Sequence, residues 1–276
     1  MSAPGNLTVH NRQAPGYDFA QLTGDGPLRL CTHNAQVGID TRQPSDYLTK
    51  SHKHILPCPM RQENLDHIAA GIRDFHFVGF QELDAGSIRS QQINQTAYLA
   101  QRADFPFWAS RVNRNLGKLG QHALGICAGV AAIRTQEIPL PGRIPGRGAL
   151  ITDFQWHGAP LRIINSHLSL GKRTRALQMK FLGALCDEVP YCIVMADFNC
   201  SPEMGFLPQW CEQHRLQLPE YSPPTYPRWR PKRAIDHIIV SRSLQIEQTW
   251  IADFGVSDHR PLAMALRHPH TADEQR

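Results

Sequence analysis

Short apolar runs, each closing on a polar residue, recur along the chain. Five stand out: Leu28 to Asn34, Phe75 to Glu82, Leu161 to His167, Tyr191 to Asn199, and Ala234 to Val240, the last with Asp236 set inside it. Runs of about four to eight residues, bounded by Gly, Pro and polar clusters, predict buried strands rather than helices. Helical periods lie between some of them. Leu65, Ile68, Ala69 and Ile72 share one face ahead of the Phe75 run, and Leu177, Phe181, Ala184 and Leu185 share another ahead of the Tyr191 run. This alternation predicts an α/β architecture. Ligands gather beyond the carboxyl ends of strands in such sheets, so the polar residues that close the runs are expected to converge on one site.

The Gly/Pro-rich segment from Pro139 to Gly148 reads as a loop, and Pro219 to Pro231 as a longer one. Residues 1–26 and 268–276 read as loosely held ends around a single domain over 27–267. With 276 residues, 41% of them hydrophobic, the chain can bury a substantial core. Its 29 Lys and Arg against 24 acidic residues favour a phosphorylated or polyanionic partner, though the excess is too small to specify nucleic acid. Seven irregularly spaced cysteines, several inside apolar runs, fit buried thiols in a reducing compartment. The segment Met1 to Thr23 lacks the apolar core of a secretory signal, and no stretch reaches the roughly 20 apolar residues of a membrane helix. A soluble, cytoplasmic protein is the expectation.

The run-closing residues are those that phosphate-ester hydrolysis needs: ligands for a hard cation, an activator of water, and donors for the developing charge. Glu82, Asp197 and Asp258 offer carboxylates of the kind Mg²⁺ prefers. In Asp197-Phe198-Asn199, two oxygen-bearing side chains alternate across an apolar residue and would face one way in a strand. The alternative is an Asx turn ending that strand. His167 suits proton transfer or oxyanion stabilisation, or else a plain structural hydrogen bond. Asp236, in an apolar run, needs a partner when buried. That partner is either an imidazole that it orients or the nearby Arg233.

Taken in order, Thr32-His33-Asn34, Phe80-Gln81-Glu82, Asn165-Ser166-His167-Leu168, Ala196-Asp197-Phe198-Asn199, Ile235-Asp236-His237-Ile238 and Ser257-Asp258-His259 resemble the motifs of the endonuclease/exonuclease/phosphatase superfamily. The resemblance runs from about Leu28 to Leu266. It implies a four-layer sandwich, two packed and mostly antiparallel β-sheets flanked by helices. It also implies Mg²⁺, with Mn²⁺ as a substitute, held by Glu82 with Asn34 beside it and Asp258 near. Asp197 and Asn199 would orient the nucleophilic water, the phosphate or a second metal. His259, oriented by Asp236, would be general base or phosphate-oxygen ligand, and His167 would donate to the phosphate or protonate the leaving oxygen. Arg175 and Gln178 match a structural pair. There are departures. Gln36 stands where abasic-site endonucleases carry a metal-binding Asp, and Cys127-Ala128-Gly129 lacks the Arg that many relatives place after that strand, so the contact that Arg makes is expected to be either missing or replaced by His122.

Basic residues cluster at Arg111, Arg114 and Lys118, at Lys172, Arg173 and Arg175, and at Arg228, Arg230, Lys232 and Arg233, the last set interleaved with Tyr226 and Trp229. Such loops near a metal site would bind a DNA or RNA backbone, with Arg114 and Arg230 the leading contacts. The alternative substrate is a phospholipid or small phosphorylated metabolite, with Trp210 or Trp229 at a membrane surface. A non-catalytic module that kept the fold is the third reading, against which every candidate ligand position is filled. No protein partner is expected.

Overall fold

A computed structural model describes residues 7–13, 18–39, 60–117, 119–143, 146–204 and 206–269. Lys118, residues 1–6 and residues 270–276 lie outside them, as does Cys58. The strands are β1 (Leu7–Asn11), β2 (Leu28–Asn34), β3 (Phe77–Asp84), β4 (Phe107–Asn115), β5 (Gln121–Ala128), β6 (Arg134–Pro139), β7 (Gly148–Trp156), β8 (Ala159–His167), β9 (Tyr191–Asp197), β10 (Leu216–Gln217), β11 (Asp236–Ser241), β12 (Gln245–Ile251) and β13 (Leu262–Arg267). The helices are α1 (Phe19–Thr23), α2 (Met60–Ile72), α3 (Gln95–Ala103), α4 (Lys172–Cys186) and α5 (Phe206–Gln213).

The strands form two sheets, one of seven in the order β1-β4-β5-β3-β2-β13-β12 and one of six in the order β10-β11-β9-β8-β7-β6. Each sheet holds one parallel pair, β2 with β3 and β8 with β9, and every other pairing is antiparallel. Leu30, Phe77, Ile126, Phe154, Ile163 and Met195 fill the space between the sheets. On the outer face of the seven-stranded sheet, Leu65, Ile68, Ala69 and Ile72 of α2 pack with Leu99 of α3 against Val78 and Phe80. On the outer face of the other, Met179, Leu182 and Cys186 of α4 and Trp210 of α5 cover Val194 and Ile239. Four layers result, as the resemblance implied. The central strands β2, β3, β8 and β9 are buried on both faces, which is why they read as continuous apolar runs rather than alternating ones.

Three expectations are corrected. The segment before residue 27 is docked where it is described: β1 pairs with the edge of β4, and Phe19 is fully buried between the sheets. At the other end His268 is also buried, its ring against Trp156, His157 and Tyr191, so the packed chain extends past 267. Helix α4 turns a different face inward than its apolar residues predicted. Leu177 and Phe181 are exposed while Arg175, Gln178, Met179, Leu182 and Cys186 are buried. Trp210, offered as a membrane anchor, is a core residue whose indole N–H donates to the Met179 carbonyl at 2.7 Å. Among the described residues no helix is long and apolar enough to cross a membrane, and the described cysteines are free and buried.

Candidate active site

The parallel pairs bring four carboxyl strand ends to one edge of the sandwich. Asn34 closes β2, Glu82 lies near the end of β3, and His167 and Asp197 close β8 and β9 as register partners. Antiparallel neighbours deliver their opposite ends to the same edge. Asp236 opens β11 directly across from Asp197, and the loop holding Asp258 and His259 runs into β13, where Leu262 pairs with Thr32. Ser257 ties that loop down, its hydroxyl donating to the Asn34 carbonyl at 2.5 Å and accepting from the His259 N–H at 3.1 Å.

The two sheets are joined beneath the site by polar side chains. Asn165, fully buried on β8, donates to the carbonyls of Phe80 and Gly125 in the opposite sheet, each at 2.9 Å, and accepts from Gln81 at 2.6 Å. Gln81 also donates to Thr32 at 3.1 Å. Gly79 permits the approach, since a Cβ there would lie 3.2 Å from the Asn165 amide.

Glu82 has a left-handed backbone, φ 57°, at a register shift of β3 against β5. A non-glycine residue held there by a bulge is a side chain re-aimed at some cost, and the aim is the shared edge. Burial raises its carboxyl above the ordinary range, as does the charge of Asp258, against the opposing pull of His259 and a hydrogen bond from Asn34. Asn34 also donates to Asp197 Oδ2 at 3.2 Å and so bridges two carboxylates.

Asp236 Oδ2 lies 2.8 Å from His259 Nδ1, and the other ring nitrogen of His259 faces Asp197 Oδ2 at 3.9 Å. The orienting partner of Asp236 is thus the imidazole, not Arg233. Burial opposes charge on His259, but the bonded Asp236 carboxylate, with Asp197 and Asp258 near, outweighs it and holds the imidazolium well above its usual range. Asp197 is pushed up, by burial first and then by the charge of Asp236. His167 sits with Nε2 3.3 Å from Asp197 and Nδ1 3.7 Å from Glu82. Burial and the nearby Arg147 hold it well below its ordinary value, so it is neutral. The Tyr226 ring covers His259 with centroids 4.9 Å apart.

Asn199 departs from the expected geometry. The strand ends at Asp197, and Asn199, φ 54°, donates its N–H to Asp197 Oδ1 at 2.9 Å in an Asx turn while its side chain donates to the Leu168 carbonyl. It positions Asp197 rather than facing alongside it, because the turn satisfies an N–H that the strand no longer pairs. Gln36 also serves position, its side chain accepting from the Asp258 N–H at 3.4 Å. Arg175 and Gln178 hold the turn after β8, through the carbonyls of Ser169 and Leu170 and the Ser169 N–H.

Two donor sets come into question for a metal. Asn34, Glu82 and Asp258 are an all-oxygen set of the kind that Mg²⁺ or Mn²⁺ takes. Asp197, Asp236 and His259 offer ligand atoms within 4.8 Å of one another. In the second set His259 Nδ1 and Asp236 Oδ2 are engaged with each other. It is better explained as a carboxylate–imidazole pair aimed at Asp197. The first set fits the cation: Glu82 and Asp258 crowd like charges that a cation relieves.

A cavity of about 600 Å³ opens from this edge, with Glu82 and His167 in its floor and Arg114, His122, Arg143 and Arg147 in its walls. His122 and Arg114 line the cleft. Arg230 does not line it; it is exposed on the long loop, in a turn closed by its N–H on the Pro227 carbonyl. Of the basic clusters, Arg111 is buried in an ion pair with Glu137 at 3.2 Å, and Arg228 N–H donates to the Asp258 carbonyl at 2.7 Å. Arg143 and Arg147 were read only as parts of a loop. The signal in the sequence was two arginines within one Gly/Pro-rich segment, which carries no direction until the fold closes.

The sequence model of the Endonuclease/Exonuclease/phosphatase family matches residues 31–259. No curated protein matches the chain by sequence. Among solved structures, an endonuclease/exonuclease/phosphatase family protein from Bacteroides thetaiotaomicron is 15% identical over 88% of this chain and 98% of its own, with a TM-score of 0.67. The mannosyl-6-phosphatase Bt3783 of the same organism is 15% identical over 87% and 99%, with a TM-score of 0.63. Sphingomyelinase C from Streptomyces griseocarneus is 12% identical over 87% and 99%, with a TM-score of 0.60. At these identities the likeness is one of fold.

Proposed function

The chain belongs to the endonuclease/exonuclease/phosphatase family and is a phosphate-ester hydrolase, and from that premise we propose that it works with a divalent cation held by Glu82, Asn34 and Asp258. The observation that carries the reading is the chain of contacts from Asp236 through His259 to Asp197, at 2.8 and 3.9 Å, with His167 at 3.3 Å from the same Asp197 oxygen.

Bound there, Mg²⁺ or Mn²⁺ would supply charge neutralisation at the phosphate oxygens. Asp197, raised in pKa and held by Asn34 and Asn199, accepts the proton of the attacking water. His259 is kept protonated by Asp236 and donates to a phosphate oxygen, which favours the second of the two roles open to it. Neutral His167 adds a further hydrogen bond at the phosphate. Arg147, half-buried and drawn toward Glu82 and Asp197, supplies the cationic contact whose usual strand position is Cys127-Ala128-Gly129 here.

The size of the cleft, about 600 Å³, favours a compact phosphorylated molecule or a nucleic-acid end. A nucleic-acid phosphodiester is the second reading, favoured by exposed Lys172 and Arg173 at the start of α4 beside the rim. The test is turnover of p-nitrophenyl phosphate and bis-p-nitrophenyl phosphate with Mg²⁺. His259→Ala and Asp197→Ala are each expected to lower kcat by about a hundredfold or more while keeping the folded circular-dichroism spectrum of the wild type. Near-wild-type turnover in either variant contradicts the assignment.

A further inference from the structure

Of the reacting groups, Glu82 and His167 line the cleft. Its walls carry Arg114 from the end of β4 and Arg143 and Arg147 from the loop between β6 and β7. No hydrogen bond or ion pair with a described residue engages any of these three guanidiniums. Several arginines elsewhere are ion-paired, among them Arg89 with Asp84, Arg162 with Asp153, and Arg267 with Glu247. Arg147, half-buried, lines the cavity with Glu82, and burial lowers its pKa against the opposing charges of Glu82 and Asp197, while the charge of Arg114 lowers it further. Arg114 and Arg143 are exposed and lie further out.

The backbone brings these like charges together. Gly146, at φ 101°, lets the loop press onto β4, where a Cβ would sit 3.3 Å from the Arg114 Cβ. The register of β4 against β5 shifts between Val112 and Arg114, which re-aims the arginine. Exposed cations lining a concave site raise the local potential and favour the entry of an anion. Gly171 and Thr174, at the start of the 15-residue helix α4, form part of the facing wall.

We infer that the outer cavity is a second phosphate subsite, built by Arg114 and Arg143, and that the preferred substrate carries a phosphate group in addition to the one that is cleaved. The inference rests on reading the cleft floor as the place of phosphate-ester hydrolysis. The second phosphate belongs either to a small bisphosphorylated molecule, where it is a dianionic monoester, or to the neighbouring nucleotide of a strand, where it is a monoanionic diester, and both present anionic phosphate oxygens to the two guanidiniums. A volume of about 600 Å³ accommodates a phosphorylated sugar or nucleotide.

Calorimetric binding to the EDTA-treated full chain tests it. Adenosine 3′,5′-bisphosphate is compared with the 3′- and 5′-monophosphates, and a thymidine dinucleotide with and without a 5′-phosphate. At least one doubly phosphorylated probe is expected to bind about tenfold more tightly than its singly phosphorylated partner, the worth of about one charge-assisted pair. The Arg114→Ala/Arg143→Ala double variant is expected to reduce that advantage to about twofold or less, with an unchanged melting temperature. The probe that shows the advantage identifies the source of the second phosphate. Equal binding within both pairs, or an advantage that survives the double substitution, overturns the subsite. Hydrolysis of p-nitrophenyl phosphate, which has no second phosphate, is measured separately. Its absence beside an intact bisphosphate advantage would count against the reaction and not the subsite.

Discussion

Asp236 and His259 interlock so that neither is satisfied alone. The carboxylate is buried and needs a cation, and the imidazole is buried and keeps its proton chiefly because the carboxylate is 2.8 Å away. Replacing Asp236 by Asn preserves shape and removes the charge that raises His259. Because the raised pKa keeps His259 protonated below it, the variant should lose the donor at lower pH. The alkaline fall of kcat/KM is expected to move to lower pH, with the maximum reduced about a hundredfold or more. A pH–rate profile with an unmoved alkaline limb would show that His259 does not act as the charged donor. Residues of this kind were legible in the sequence because a carboxylate or imidazole interrupting an apolar run announces itself by its cost. Asn165 interrupts such a run too, yet its role was not legible, since its partners Phe80 and Gly125 are in the other sheet. Asn199 could be read either way until the end of β9 was known, and the Asx turn and the contact with Asp197 proved to be one feature.

At the scale of elements, the central strands were legible nearly to the residue. Their burial on both faces leaves no alternation to misread. Helix α4 was harder. From Ala176 onward it is apolar almost all round, and its inward stripe begins with polar Arg175 and Gln178, which bond the turn after β8. An apolar periodicity cannot find a face whose first turn is polar. The corrected face makes a quantitative prediction for unfolding in denaturant. Leu182→Ala is expected to cost about 2–5 kcal/mol, whereas Leu177→Ala, exposed on the other face, should stay within about 0.5 kcal/mol of the wild type. Comparable losses at both positions would mean that the exposed stripe is covered in solution. The arginine-bearing loop between β6 and β7 shows the opposite limit. Its residue types were visible, but the direction of Arg143 and Arg147 is fixed by closure of Gly146 onto β4, a contact distant in sequence.

For the molecule as a whole, the sandwich works as a frame that brings strand ends from both sheets to one edge. Each sheet contributes a parallel pair ending in groups of the proposed site, and the buried amides of Asn165 and Gln81 join the two sheets under them. The N-terminal segment completes the edge of the larger sheet through β1 and fills the inter-sheet core with Phe19, which a polar, Pro- and Gly-containing stretch did not advertise. In the proposed mechanism, hydrolysis at this edge needs a divalent cation held through Glu82. The direct measurement is the initial rate of bis-p-nitrophenyl phosphate hydrolysis by EDTA-treated protein as Mg²⁺ or Mn²⁺ is added back. The account predicts no turnover without the ion, saturable recovery with it in the wild type, and no recovery in Glu82→Ala at the same concentrations. Full turnover in EDTA, or equal recovery in the Glu82 variant, would contradict it.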